Sequence, residues 1–121
     1  IDMAQTFLEI AGIADPGDMQ GRSLVPLLNG ESPDDWRESI YYHYHQNVNT
    51  VHNVQPHFGV RTERYKLIRF YDIDEWELYD LEKDPQEMQS EYSNPEYAGQ
   101  VESLRQELQR LREQYEVPGA G

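Results

Sequence analysis

The chain has 121 residues, no cysteine and a formal net charge of −13, from 23 acidic and 10 basic side chains. This length predicts one domain or part of one, and the charge argues against nucleic acid and anionic membranes as partners. The absence of cysteine excludes disulfides and thiolate chemistry. No apolar run approaches the roughly 18 residues of a membrane span, and no signal peptide is recognisable.

A short helix is predicted at the amino terminus. Asp2 is in position to cap it, with Gln5 in the capping-box position, and Gly12 supplies a stop. The chain begins at Ile1 and enters this helical pattern almost at once, which is typical of a piece of a longer polypeptide or of a processed terminus. The apolar residues that fall on one face of the helix are Met3, Phe7, Ile10 and Ala11.

A first strand is predicted over Glu38–His45, after a connector rich in turn residues. The stretch that follows, Gln46–Pro56, has no usable period and is predicted to be a loop of about ten residues, a length at which loops are often functional or disordered. Side chains alternate along a strand, so Ile40, Tyr42 and Tyr44 share one face, and Tyr41, His43 and His45 share the other.

Three more strands are predicted between Pro56 and Pro85, where runs of β-branched and aromatic residues alternate with charged turns. They cover His57–Thr62, Tyr65–Tyr71 and Trp76–Leu81, and the short turns between them predict an antiparallel meander. Several of the ten basic residues are concentrated here and make this hairpin locally positive. They are Arg61, Arg64, Lys66 and Arg69.

A long helix is predicted after Asn94-Pro95, which pairs an N-cap residue with proline at the first helical position. Its apolar stripe consists of Tyr97, Val101, Leu104, Leu108, Leu111 and Tyr115. The predicted fold class is α+β: a four-stranded antiparallel sheet with the long C-terminal helix packed on one face, plus a short N-terminal helix. Neither sheet face is polar, so we expect the uncovered face to meet the first helix, a partner or a larger domain.

Two stretches of the predicted sheet resemble the carboxy-terminal region of type I sulfatases. They read Gly-Val-Arg-Thr-Glu-Arg-Tyr-Lys-Leu-Ile at 59–68 and Trp-Glu-Leu-Tyr-Asp-Leu-Glu-Lys-Asp-Pro-Gln-Glu at 76–87. Segments 1–13 and 19–30 are similar to the part that precedes this region in the same family. One departure is Gln5, where the family usually has proline.

The resemblance implies a sulfuric ester hydrolase of the alkaline-phosphatase-like superfamily, with a large α/β catalytic domain preceding this chain. Residues 1–35 would then be the end of the catalytic-domain segment, and residues 36–121 would form the carboxy-terminal subdomain. The partners implied are that missing catalytic domain and a sulfated small molecule or glycan. An extracellular or periplasmic location is implied as well.

The catalytic groups of that family do not map onto this chain. The family's nucleophile is a formylglycine made from Cys or Ser in a Cys/Ser-x-Pro-x-Arg motif, and its divalent cation, usually calcium, is held by Asp and Asn. Neither Ser23-Leu24-Val25 nor Ser32-Pro33-Asp34 fits the motif, and cysteine is absent. We therefore expect no catalytic residue and no metal site here, and no sulfate-ester hydrolysis by this chain alone.

The histidines are the candidate substrate-binding residues, because sulfatases of this type use the carboxy-terminal subdomain to wall one side of the active-site pocket. His57, beside the positive hairpin, is the strongest candidate for contacting a sugar hydroxyl or a sulfate; the alternative is a structural histidine satisfied by the backbone. His43 and His45 are further candidates. As an i, i+2 pair they could also ligate a metal, although no third ligand is evident.

Arg61 is the fourth candidate, since its guanidinium can offer two parallel hydrogen bonds to an anionic group. Strand alternation can equally aim it at Glu77 or Asp80 on a neighbouring strand, and this structural pairing is the one we favour. The tyrosines among residues 41–44 could stack on a sugar ring, although packing within a sheet is the commoner role of such residues.

The function predicted is that of the carboxy-terminal part of a sulfatase, which stabilises the catalytic domain and forms part of a pocket for a sulfated carbohydrate substrate. One alternative is a stand-alone protein- or glycan-binding module that docks through its uncovered sheet face. Another is a fragment of a related phosphodiesterase or phosphatase of the same superfamily.

Overall fold

The chain divides into two compact units, 1–37 and 38–121, of which a computed structural model describes residues 1–45 and 53–118. Part of the predicted loop Gln46–Pro56, including His52, therefore lies outside the described residues. No helix of the described part is long and apolar enough to cross a membrane. The elements in chain order are α1 (Met3–Ile10), α2 (Val25–Leu28), β1 (Ser39–Tyr44), β2 (His57–Thr62), β3 (Tyr65–Phe70), β4 (Glu75–Asp80), a 3₁₀ turn (Pro95–Tyr97) and α3 (Ala98–Gln114).

The second unit confirms the predicted α+β fold. Its four strands pair antiparallel in the order β1-β2-β3-β4, and each strand end lies within one residue of its prediction. The predicted cap of the long helix is also present, because the Asn94 side chain accepts a hydrogen bond of 3.0 Å from the Glu96 N–H. The first turn after this cap is 3₁₀, and α3 follows it.

The core lies between α3 and one face of the sheet. One row of residues runs across all four strands, from Tyr41 through Val60 and Leu67 to Leu78, and the last three are fully buried. The α3 residues that pack on this face are Leu104, Leu108 and Leu111. Burial of these aliphatic side chains, at about 25 cal/mol per Å² of apolar surface, is the main force that holds the helix on the sheet.

The second face of the sheet, which α3 does not cover, carries Tyr42, His57, Arg61, Ile68 and Tyr79. Ile68 and Tyr79 are nevertheless buried, at 5% and 8% exposure. The predicted uncovered apolar face is thus sheltered in its β3–β4 half by the chain itself.

A glycine on β2 allows a close approach on this second face. Gly59 lies opposite Tyr42 in the sheet register. A Cβ atom at Gly59 would lie 2.5 Å from the Tyr42 hydroxyl and 2.3 Å from the Leu67 carbonyl oxygen. The tyrosine ring can lie across β2 only because no side chain rises there.

A buried carboxylate ties the β3–β4 hairpin to the start of the long helix. Asp80 is 1% exposed and accepts two hydrogen bonds from the Arg64 guanidinium, at 3.0 and 2.8 Å. The Tyr97 hydroxyl donates a third, at 3.0 Å, and accepts one of 2.7 Å from the Lys83 ammonium. The Arg64 hydrogen bonds lower the pKa of Asp80 to about 2, against the opposing effect of its burial and with help from Tyr97.

The first unit contains α1 as predicted, and Gly12 ends it with a φ of +68°. The predicted capping box is wrong. Asp2 occupies the N-cap position, but its carboxylate binds the Arg37 guanidinium, at 2.7 Å for one of the two oxygens, and the Arg22 N–H at 2.9 Å. Gln5 is 4% exposed, and its amide has no hydrogen-bond partner among the described residues. A charged arginine is a stronger partner for Asp2 than the helix N–H groups.

Replacing Asp80 with Asn should lower the free energy of unfolding by about 1.5–3 kcal/mol, because the buried carboxylate loses the charge that accepts hydrogen bonds from Arg64 and Tyr97. Urea unfolding of the 121-residue chain at neutral pH measures this. The matched control is Asp72→Asn in an exposed turn, which should change stability by less than about 0.5 kcal/mol. Equal stabilities of the two variants would contradict the role given to Asp80.

The contribution of Asp80 should depend on pH. Its pKa of about 2 in the folded chain lies below the value near 3.9 of an unfolded aspartate, so the stabilisation is fully present above about pH 4. It should be lost as the pH falls from about 4 towards 2. We therefore expect the stability difference between the parent chain and Asp80→Asn to be constant from pH 5 to 7 and to shrink below pH 4, as measured by unfolding titrations. A difference that does not vary with pH would refute this.

Gly59→Ala should destabilise the sheet by about 1–3 kcal/mol, because the new methyl group forces Tyr42 or the β3 backbone to move. Gly99→Ala is the control, since a Cβ there meets no atom within 4 Å and alanine favours the helix by up to about 1 kcal/mol. Thermal melting of both variants tests the prediction. A Gly59→Ala chain as stable as Gly99→Ala would show that the close approach is unimportant.

Candidate functional site

His57 lies at the start of β2 on the second face of the sheet, where three aromatic rings surround it. Its ring stacks on Tyr44 with centroids 5.3 Å apart and meets Tyr42 edge to face at 5.9 Å. Phe70 of β3 lies 5.2 Å away on the other side. These neighbours from β1 and β3 hold the half-buried imidazole in one orientation.

A backbone hydrogen bond decides the tautomer of His57. Its Nδ1 lies 2.8 Å from the carbonyl oxygen of Gln55. Because a carbonyl oxygen only accepts, Nδ1 must carry the proton, which leaves Nε2 as the acceptor of the neutral ring. No hydrogen bond to Nε2 is formed within the described part of the chain. His57 can therefore accept from a hydroxyl when neutral and donate to an anion when protonated.

Arg61 lies on the same face, four residues further along β2, and is exposed. Its predicted pairing with Glu77 or Asp80 is wrong: Asp80 is bound by Arg64, the Tyr79 hydroxyl donates to Glu77, and among the described residues Arg61 forms no ion pair with either carboxylate. Four residues along a strand span about 13 Å. Arg61 and His57 are thus too far apart to hold one small anion together, but both can contact different parts of a larger ligand.

His43 and His45 lie on the other face, beside α3. The His43 Nδ1 is 3.0 Å from the Tyr41 hydroxyl, and its ring stacks on that of His45 with centroids 3.6 Å apart. It also meets Phe58 of the core edge to face at 5.6 Å. Burial lowers the pKa of His43, and the neighbouring His45 and Arg112 lower it further. This surrounding favours a neutral, packed imidazole.

The buried hydroxyl of Tyr42 is a further polar group on the second face. Burial raises its pKa, and the carboxylates of Glu87 and Glu77 raise it further, so the phenol stays neutral. The hydroxyl has no hydrogen-bond partner among residues 1–45 and 53–118. Tyr42 thus acts chiefly as a rigid wall beside His57.

The described residues offer no place for the catalytic groups that the family resemblance implies. Over residues 1–45 and 53–118, no three His, Cys, Asp or Glu side chains are grouped so that they could hold a metal ion. The sequence also lacks cysteine and any Cys/Ser-x-Pro-x-Arg motif. The sequence thus carries no formylglycine motif, and residues 1–45 and 53–118 present no such cluster of metal ligands.

The structure thus separates the four candidate residues into two pairs on opposite sheet faces. His57 and Arg61 share the second face, whereas His43 and His45 share the face that packs against α3. Sequence reasoning missed the Phe70 ring and the Gln55 carbonyl that orient His57. The register of β2 against β3 could have indicated Phe70, but no sequence pattern marks the carbonyl.

Comparison with known families gives a match over most of the chain. Residues 1–114 match the family model described as N-sulphoglucosamine sulphohydrolase, C-terminal. The match includes both structural units almost completely.

Individual relatives agree with this family. The chain is 47% identical over 118 residues to an N-acetylglucosamine-6-O-sulfatase of Bacteroides thetaiotaomicron, a match that covers 95% of this chain and 21% of the relative. It is 33% identical over 98 residues to a Delta 4,5-hexuronate-2-O-sulfatase of the same organism, covering 81% of this chain and 20% of that protein.

A solved structure in complex with its substrate, D-glucosamine-2-N,6-O-disulfate, matches with a TM-score of 0.91 and 45% identity, over 97% of this chain and 24% of that one. The chain therefore spans about a fifth of the length of the curated relatives it matches. These matches confirm the resemblance to the carboxy-terminal region of sulfatases. The chain belongs to the N-sulphoglucosamine sulphohydrolase, C-terminal family, within the alkaline-phosphatase-like superfamily.

Proposed function

We propose that this chain is the carboxy-terminal part of a sulfatase that removes sulfate from a sulfated amino sugar, and that the second face around His57 forms part of the substrate pocket. The relatives support the reaction class, since they include a sulfatase of N-acetylglucosamine and a structure holding a disulfated glucosamine. The nucleophile and the metal ligands would come from the remainder of the polypeptide, because the sequence lacks the Cys/Ser-x-Pro-x-Arg motif and the part of the chain that the structure describes has no cluster of three potential metal ligands.

The orientation of His57 carries the proposal for the pocket. Its Nδ1 is engaged by the Gln55 carbonyl, and its ring is held by Tyr44, Tyr42 and Phe70. The other ring nitrogen, Nε2, has no hydrogen bond within the described residues and is left for another group. A sugar hydroxyl donating to Nε2, or a sulfate oxygen accepting from the protonated ring, would complete its hydrogen bonding.

Arg61 adds charge to the same face. It is exposed, it lies about 13 Å from His57 along β2, and within the described residues it forms no ion pair with a carboxylate. A guanidinium near a pocket would attract a sulfated anion, although the net charge of −13 makes the chain as a whole repel polyanions. His43 and His45 remain less favoured contacts, because their rings pack against each other and the core.

Two substitutions of His57 in the full-length enzyme separate a role in binding from a structural role. In His57→Asn the amide nitrogen can keep the bond to the Gln55 carbonyl, but the equivalent of Nε2 is lost. We expect kcat/KM for a sulfated glucosamine to fall about tenfold, the effect of losing one hydrogen bond of about 1.4 kcal/mol. His57→Gln places an amide near Nε2 and should retain more activity.

Release of inorganic sulfate and the melting temperature of each variant are the measurements. Unchanged kcat/KM in both variants, with melting temperatures like that of the parent enzyme, would remove His57 from the pocket. Hydrolysis of phosphodiesters by the parent enzyme, without any release of sulfate from sulfated sugars, would instead assign it to the related phosphodiesterases.

A further inference from the structure

A row of four side chains crosses the second face of the sheet at the level of His57. In the sheet register His57 of β2 lies opposite Tyr44 of β1 and Phe70 of β3. Phe70 in turn lies opposite Glu75 of β4. Residues directly opposite each other in antiparallel strands point to the same face, and we call these four residues the His57 row. Glu75 provides the only carboxylate of the row.

Phe70 lies between the two polar side chains of the His57 row. Its ring centroid is 5.2 Å from that of His57, and its side chain is only partly buried. Neighbouring strands are about 4.8 Å apart, so His57 and Glu75 lie about 10 Å from each other across Phe70. This arrangement suits one sugar ring, whose apolar side can rest on an aromatic ring while its polar substituents reach the groups on either side.

The two neighbours of Glu75 along the chain are anchored to the opposite face of the sheet. Asp74, which ends the β3–β4 turn with a φ of +58°, forms an ion pair with Arg69. The Trp76 ring stacks on Tyr92 with centroids 5.9 Å apart, and the Arg69 guanidinium lies 5.1 Å from the centroid of Trp76. These contacts fix the start of β4 and hold Glu75 on the second face.

The Glu75 carboxylate has no partner in the part of the chain that the structure describes. The side chain is exposed, and over residues 1–45 and 53–118 it forms no hydrogen bond and no ion pair. Glu77, two residues further along β4, differs because it accepts a hydrogen bond of 2.9 Å from the Tyr79 hydroxyl. The His57 Nε2 likewise has no hydrogen bond within the described residues. Two polar groups are thus left for a ligand, one on each side of Phe70.

We propose that Glu75 is a specificity-determining residue of the substrate pocket and contacts the sugar on the side away from His57. The inference rests on the proposed function, in which the second face around His57 binds a sulfated amino sugar. A carboxylate only accepts hydrogen bonds, so Glu75 favours a sugar that presents N–H or O–H groups on this side. It disfavours a second sulfate there, because two negative charges would then lie side by side in the pocket.

The 2-amino group of glucosamine is the substituent on which this selection acts. A 2-N-acetyl group presents an uncharged N–H, whereas a 2-N-sulfate adds a negative charge at the same position. Both types of sugar occur among the matched proteins, one of which is named for N-acetylglucosamine and another of which holds D-glucosamine-2-N,6-O-disulfate. These two sugars, each sulfated at the 6-oxygen, form the substrate pair that tests the role of Glu75.

Glu75→Gln in the full-length enzyme removes the charge and keeps the size of the side chain. We expect kcat/KM for the 2-N,6-O-disulfated sugar, divided by kcat/KM for 6-O-sulfated N-acetylglucosamine, to rise roughly fivefold, the effect of removing one like-charge contact at an exposed site. Release of inorganic sulfate from each sugar gives both constants. Loss of folded enzyme lowers both constants equally, so a merely structural role would leave their ratio unchanged.

Asp72→Asn is the matched control. It removes the same charge from the exposed β3–β4 turn, three residues before Glu75 and outside the His57 row. The ratio of the two constants should equal that of the parent enzyme. An equal rise in both variants would overturn the inference, because the general field of the turn, and not a contact of Glu75, would then cause the discrimination. Both melting temperatures should match that of the parent, since both side chains are exposed.

The outcomes separate this inference from the proposed function. An enzyme that releases sulfate from both sugars, but whose ratio does not change in Glu75→Gln, would contradict the role of Glu75 and leave the proposed function intact. A parent enzyme that releases sulfate from neither sugar would contradict the proposed function, and the role of Glu75 would fail with it.

Discussion

The buried carboxylate of Asp80 is the constraint on which the rest of the sheet unit depends. It stands at the end of β4, receives the Arg64 guanidinium from the turn before β3, and receives the Tyr97 hydroxyl from the start of the long helix. An uncompensated charge in this position would be very costly, so both partners must be in place together. The hairpin and the helix are thereby locked in one arrangement, which aligns α3 with the core row of the sheet.

This arrangement also decides which sheet face can serve a ligand. Once α3 covers the row that includes Val60 and Leu67, the residues that alternate with them must point away from the helix. His57 and Arg61 belong to that second set. Along β1 the same alternation places His43 and His45 on the face that packs against α3. There the two imidazoles stack on each other, and His43 also packs against Phe58. A single alternation rule thus separates residues that lie close together in the sequence.

In the amino-terminal unit, the predicted helix forms, but its polar side is buried and its apolar side is exposed. The pattern of Met3, Phe7 and Ile10 correctly indicates a helix with an apolar side. Within the unit, however, Thr6 and Gln5 are the residues that become buried, and Asp2 serves an ion pair and not a cap. Periodicity specifies the faces of a helix, but only the surrounding chain specifies which face is turned inward.

By itself the sequence determined the four strands, the first and last helices and their order, because strand alternation, turn residues and the apolar stripe of α3 are local patterns with the period of the backbone. The family came from a separate signal, the resemblance of segments 59–68 and 76–87 to type I sulfatases. It also identified His57 as a candidate residue. Only the tertiary structure decided the partner of Asp80, the exposed state of Arg61 and the tautomer of His57. The partner of Asp80 is 16 residues away in the chain, at Arg64, so no local pattern indicates it. The tautomer of His57 is set by the carbonyl of Gln55, a backbone group that no sequence pattern marks.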